Sequence, residues 1–291
     1  MPKYAWLPIV LFALPTAASA QVKLEWRFKT GDRFVVEEIT NVRQTIKIIE
    51  TETRQDLEET KTSRFVVLKA GKEGSAVLEH TIQSVKIKHF GEGPDADTKV
   101  LKQLEGARFQ VTLDTHGQVV KLTGYDELLK KIAKHDPLNA KLVRALMTEE
   151  SFKVSLASVF GFAPAKAVGK GDSWEHKSFL PLGPLGGFNL EDRYTLEDVE
   201  EAAKTARLSV ISRGSYAGPQ KTSDRALKVS GGEIRLLRSV GTLRFDAAHG
   251  RLIGAETNSR LEGTLQVTVR DAPVTMHLEQ QAERKVRVLE K

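Results

Sequence analysis

The chain has 291 residues, 40% of them hydrophobic and 28% charged, with a net charge of +6 and no cysteine. That length supports a substantial hydrophobic core, and a cysteine-free chain excludes thiol catalysis, disulfide staples and cysteine-ligated zinc or iron–sulfur centres. The basic excess is dispersed among acids, as in Glu283-Arg284-Lys285-Val286-Arg287, and not drawn into a stripe interleaved with aromatics, so nucleic acid is not an expected partner.

Met1-Pro2-Lys3 makes a positive start, Tyr4 to Pro15 is almost wholly apolar, and Ala18-Ser19-Ala20 supplies small residues before Gln21. These are the three parts of a secretory signal peptide in order. The apolar stretch is too short to span a bilayer comfortably and is broken by Pro8 and Pro15. Residues 1–20 are therefore read as a leader. The mature chain is expected to be exported, periplasmic or extracellular, with no transmembrane segment.

From Gln21 to Gly124 period-two patterning dominates, as in Ile46-Lys47-Ile48, Phe65 to Leu68 and Val85-Lys86-Ile87. Apolar positions alternate with Thr, Lys, Glu and Gln, which places one face of each strand in water and points to antiparallel pairing. Ala70-Gly71-Lys72-Glu73-Gly74 and Asp114-Thr115-His116-Gly117 carry turn residues between apolar runs and read as hairpin loops.

The segment 125–160 changes period. Leu128, Leu129 and Ile132 recur at helical spacing after Tyr125. Asp136-Pro137 starts a second helix with Leu138, Leu142, Ala145 and Leu146 on its apolar face. Thr148 caps a third, with Glu149 and Glu150 near its positive end and Phe152, Leu156, Val159 and Phe160 as its stripe. Gly161 to Lys170 reads as a connector.

From 161 to 291 strand patterning returns. Ala206-Arg207-Leu208-Ser209-Val210 and Thr264 to Arg270 alternate. Val274, Met276 and Leu278 alternate in the opposite phase, which puts a turn or bulge at Asp271-Ala272-Pro273. Gly31-Asp32-Arg33-Phe34 near the start of the first β region has a counterpart in Gly171-Asp172-Ser173-Trp174, and His116-Gly117 one in His249-Gly250. The order of these pairs suggests two related β repeats, against which stands the low cost of such dipeptides in turns. The expected fold is mainly β with a small α insert: an antiparallel, strongly curved sheet or partial barrel, with short helices between its two β regions (21–124 and 161–291) packed as one unit.

Chemistry is sparse. None of the seven histidines forms H-x-H or H-E-x-x-H. No G-x-S-x-G elbow, S-x-x-K pair, Walker A loop or G-x-G-x-x-G fingerprint occurs. Asp172 and His176 flank Trp174 on one strand face and could orient a general base, but a packing Trp174 with the other two decorating its face is the preferred reading. Asp114 and His116 are explained by their turn. Asp95 and Asp97 offer oxygen ligands to calcium without a full ligand loop. Glu58-Glu59 and Glu200-Glu201 diverge on strands. No catalytic, cofactor-binding or metal-binding residue is assigned, and no cofactor is expected.

Pro164-Ala165-Lys166-Ala167-Val168-Gly169-Lys170-Gly171-Asp172-Ser173-Trp174 forms a P-x-x-x-V-x-x-G-D-x-W run. With the leader, the early strands, the D-x-x-G hairpin and the short helices, it resembles an uncharacterised family of exported bacterial β-rich proteins. The resemblance spans most of the chain after the leader. It implies no activity and transfers no catalytic residue.

The leading expectation is a non-catalytic binding or carrier protein for a lipid, an apolar small molecule or another envelope ligand, with Leu156, Val159 and Phe160 facing that ligand. The alternatives are an interaction module of the cell envelope with a protein partner, and a hydrolase with a spatially assembled site.

Overall fold

A computed structural model describes residues 21–91, 101–200, 202, 204–219, 228–269 and 272–290. The leader, Asp95, Asp97, Glu201 and Asp271 lie outside those residues, as do the side chains of Leu142, Ala145 and Leu146.

The first half forms β1 (Arg33–Ile48), β2 (Thr51–Ala70), β3 (Ala76–Gly91), β4 (Arg108–Leu113) and β5 (Val119–Thr123). Three helices follow: α1 (Tyr125–His135), α2 (Pro137–Leu146) and α3 (Glu149–Phe160). The second half forms β6 (Ser173–Pro181), β7 (Gly187–Glu200), β8 (Thr205–Ala217), β9 (Lys228–Asp246), β10 (Arg251–Val269) and β11 (Ala272–Glu290). No helix among the described residues is long and apolar enough to cross a membrane.

The strands make one antiparallel sheet in the order β5-β4-β3-β2-β1-β11-β10-β9-β8-β7-β6. The first half steps outward from the centre to one edge. The helices carry the chain to the other edge, and the second half steps back until β11 pairs with β1, Glu38 opposite Val286. The sheet is not closed. It curls far enough for α3 to pack against both edge strands, β5 and β6, so the helix fills the gap where a barrel would have hydrogen-bonded. Its C-terminus is tied to both sides. Gln118, just before β5, donates to the Gly161 carbonyl (3.2 Å), and the Trp174 indole of β6 donates to the Phe162 carbonyl (2.8 Å).

Local sequence accounts for the helices. The Asp136 side chain accepts from the backbone N–H groups of Leu138 and Asn139, and Thr148 accepts from Ser151, each satisfying donors the helix leaves open. One expectation is corrected. Leu138 is 66% exposed, and α2 buries Ala140 and Val143 instead, because Leu138 sits in the first turn where its side chain projects away from the core.

Two apolar clusters fill the curl. The larger gathers Leu24, Trp26, Phe65, Phe109, Phe160 and Phe245 with the buried faces of the helices. Segment 21–32 helps to close this end: Val22 bridges Val168, and Arg27 N–H bonds the Gly250 carbonyl (2.9 Å). The smaller cluster lies toward the other end of the long strands, where Phe188, Ile234, Leu261, Leu265 and Met276 pack with the short 3-10 turn Gly183–Leu185.

The two Gly-Asp sites share their geometry. Gly31 N–H bonds Val67 O (2.8 Å) and Val67 N–H bonds Asp32 O (2.9 Å), while Gly171 N–H bonds Leu196 O (2.8 Å) and Leu196 N–H bonds Asp172 O (3.0 Å). Each Asp carboxylate accepts from the backbone three residues earlier, Lys29 or Gly169. Two residues on, Phe34 stacks on its cross-strand partner Phe65 and Trp174 on Tyr194.

Candidate functional site

Helix α3 has two working faces. Phe152, Leu156, Val159 and Phe160 are buried in the larger apolar cluster. The face one step round, Val154, Ala157 and Ser158, borders a cavity of about 670 Å³ between the helix and the inner surface of the sheet. That spacing, three and four residues apart, is the helical repeat applied twice. The cavity lies between the two apolar clusters. Leu180, Leu190 and Leu236 reach it from one, and Val119, Val210, Leu243 and Val286 from the other.

Polar groups enter this space from the strands. Arg284 on β11 extends its guanidinium between sheet and helix, donating to Glu38 on β1 (2.6 Å) and to the Ser158 hydroxyl on α3 (2.9 Å). Lys61 on β2 completes the ion cluster at 3.0 Å from the other Glu38 oxygen. Burial acts against the Glu38 carboxylate most strongly, yet Lys61 and Arg284 together outweigh it and bring its pKa down to about 2. Nearby Glu59 is shifted upward, because burial there exceeds the pull of Lys61.

A second polar group sits on β6, β7 and β8. Asp192 is 8% exposed and accepts a hydrogen bond from the Ser178 hydroxyl (2.7 Å). His176 and Ser212 are its cross-strand neighbours, and Tyr194 follows on the same face. Burial lowers the His176 pKa, partly opposed by Asp192 and Asp114, and burial with Asp192 raises that of Tyr194. The acceptor on Ser178 is the Asp192 carboxylate, not an imidazole as in a Ser-His-Asp triad. Among the described residues no cluster of three or more His, Asp or Glu suits a metal ion.

Residues 73–268 match a family model described as a family of unknown function, DUF6263. The chain belongs to that family. No curated protein sequence matches it. Among solved structures, DynF from the dynemicin biosynthesis pathway of Micromonospora chersina is 9% identical, with 96% of this chain and 92% of that one covered and a TM-score of 0.19. A DUF3598-family protein of unknown function from Nostoc punctiforme is 8% identical, covering 84% and 94%, with a TM-score of 0.13.

Within this DUF6263 chain the sequence-derived candidates separate. Asp172 is engaged in its turn with Gly169 N–H (2.7 Å), and His176 faces Asp192 instead. Asp114 accepts from the backbone of His116 and Gln118 within its hairpin. Glu58 pairs with Lys88 (2.7 Å) while Glu59 turns inward. Leu156, Val159 and Phe160 lie in the aromatic core, with Phe160 packed on Trp26, Phe34 and Phe65. Sequence reading missed Asp192, hidden in the charged run Glu191-Asp192-Arg193. The signal lay in the alternation: Phe188, Leu190, Asp192, Tyr194 and Leu196 form one strand face, and Asp192 is its single charged member.

Proposed function

We propose that this chain is a non-catalytic binding or carrier protein whose ligand occupies the cavity between α3 and the sheet, and that it works after export with residues 1–20 as its leader. The observation that carries the reading is the cavity itself. Its volume of about 670 Å³ falls in the range of roughly 300–1,000 Å³ found for small-molecule sites. Most of its accessible lining surface is apolar and comes from strands of both clusters, with hydroxyl, carboxylate and basic groups interspersed along it. Such a surface suits an amphipathic molecule: the walls remove a hydrocarbon portion from water, and the polar corners fix its orientation.

The test is retention and displacement. Protein purified without detergent is extracted with organic solvent and analysed by mass spectrometry, and titration of the emptied protein with a fluorescent fatty-acyl probe reports binding. The A157F variant fills the cavity from the helix face that is not in the core. It is expected to abolish probe binding while leaving the melting temperature nearly unchanged. A protein that carries nothing, binds no probe and responds to no cavity-filling variant would remove the carrier reading.

A further inference from the structure

We infer that Asp192 is the anchor for the protonated amine of an amphipathic ligand, an assignment that rests on the carrier reading above. Asp192 is a buried carboxylate at the cavity wall, and among the described residues its neighbours supply hydroxyls and an imidazole but no cation. Ser178 donates to one oxygen at 2.7 Å, and Ser212 and His176 lie opposite on the adjoining strands. The cations near the cavity are engaged elsewhere. Arg284 is held by Glu38 and Ser158. Lys153 is held by Glu149 (2.9 Å), with Glu150 at 3.8 Å. Lys177 alternates with His176 along β6, so its exposed side chain leaves on the opposite face.

A carboxylate withdrawn from water without a counter-ion is costly, and a cation delivered by a ligand recovers that cost as affinity. The corner also suits an ammonium group sterically and chemically. Ser212 offers a lone pair, the Tyr194 ring offers an electron-rich face for a cation, and Leu190, Val210 and Leu236 provide apolar surface for an attached chain. Burial keeps His176 toward its neutral form, which leaves it an acceptor and not a competing cation.

The probes are n-decylamine, decan-1-ol and decanoate, titrated calorimetrically into the emptied full chain at neutral pH. Decylamine is expected to bind about tenfold tighter than decan-1-ol, the effect of one charged hydrogen bond, and decanoate weakest of the three. D192N is expected to abolish the preference for the amine over the alcohol, a relative loss of about tenfold for the amine. S212K, which supplies a cation from the neighbouring strand, is expected to remove the same preference. An amine that binds no tighter than the alcohol overturns the assignment even if D192N fails to fold, since that comparison needs only the wild type. Equal binding of amine and alcohol leaves the carrier reading standing, whereas no binding of any of the three removes both. A preference for the amine that survives in folded D192N also overturns it.

Discussion

The indole N–H of Trp26 donates to the main-chain carbonyl of Phe160 at 2.7 Å, joining the segment before the first strand to the end of the last helix. Around that bond Trp26 packs on Phe28, Phe160, Phe162 and Phe245, so one residue links the N-terminal segment, α3, the connector and β9. Burial of a large side chain such as Phe160 stabilises by about 1.5–3 kcal/mol, and here the hydrogen bond also fixes where the helix ends. W26F keeps a ring but withdraws the donor from a buried carbonyl, with an expected cost of about 1–3 kcal/mol. W26A adds a cavity and costs about 3–5 kcal/mol. Urea unfolding followed by far-ultraviolet circular dichroism distinguishes the two. A W26F variant as stable as the wild type would mean that the indole N–H contributes nothing measurable.

The hairpin after β4 meets the same helix end. Gly117 has φ +76°, and a Cβ placed on it would lie 2.0 Å from the Phe160 carbonyl oxygen. Gly31 has a comparable φ of +94° with nothing within 4 Å of its Cβ position. G31A is therefore expected to cost only the left-handed backbone strain, about 1–2 kcal/mol. G117A carries that strain plus a clash with backbone that has no rotamer to yield, and should lose about 3 kcal/mol or more. Similar chemical-denaturation midpoints for the two variants would contradict the close approach of hairpin and helix.

Alternation made the strands legible because each has one wet face, and Asp136-Pro137 and Thr148 made two helix starts legible because their caps are local chemistry. The Gly-Asp and Asp…His-Gly pairs were legible as an ordered recurrence, and the matched hydrogen bonds of Asp32 and Asp172 give the first of them a geometric basis. What local pattern does not encode is closure. That α3 lies between β5 and β6, and that Arg284 meets Glu38 across 246 positions, follows from the curl of the whole sheet. The two faces of α3 illustrate the same limit. Leu156, Val159 and Phe160 are its most apolar positions, so they went to the aromatic core, and the cavity was left to Val154, Ala157 and Ser158.

The ion cluster predicts an asymmetry between its members. Glu38 is shared by Lys61 (3.0 Å) and Arg284 (2.6 Å), so E38Q leaves two partly buried cations facing each other. R284M leaves the Glu38–Lys61 pair intact. E38Q is expected to lose about 3–5 kcal/mol, the usual cost of stranding buried charge, and R284M roughly half as much. Because Arg284 also holds Ser158, R284M should in addition speed hydrogen exchange in α3. Denaturant unfolding of both variants at neutral pH tests the order, and a larger loss in R284M would show that the bond to α3 outweighs the ion pair.

Acid should act on the fold through two buried groups. His80 is stacked between Phe65 (4.6 Å) and Phe109 (5.6 Å). Burial, with a smaller push from Lys61 that Glu38 partly offsets, lowers its pKa from 6.5 to about 3. Glu38 is lowered from 4.5 to about 2 by the cations that outweigh its burial. In both cases the folded-state value lies below the unfolded one, so the unfolded chain takes up the proton first. Each group therefore contributes stability that is complete above its unfolded pKa and disappears as pH falls toward its folded pKa. For His80 that window opens near pH 6.5 and for Glu38 near pH 4.5, so acidification should lower the urea midpoint in two overlapping stages. H80F, which preserves the ring stack, should remove the upper stage and so gain stability over the wild type at about pH 5 relative to about pH 8. E38Q should flatten the lower stage instead. A wild-type midpoint that stays level down to about pH 5, or an H80F variant with the wild-type slope, would show that His80 is not held neutral in the core.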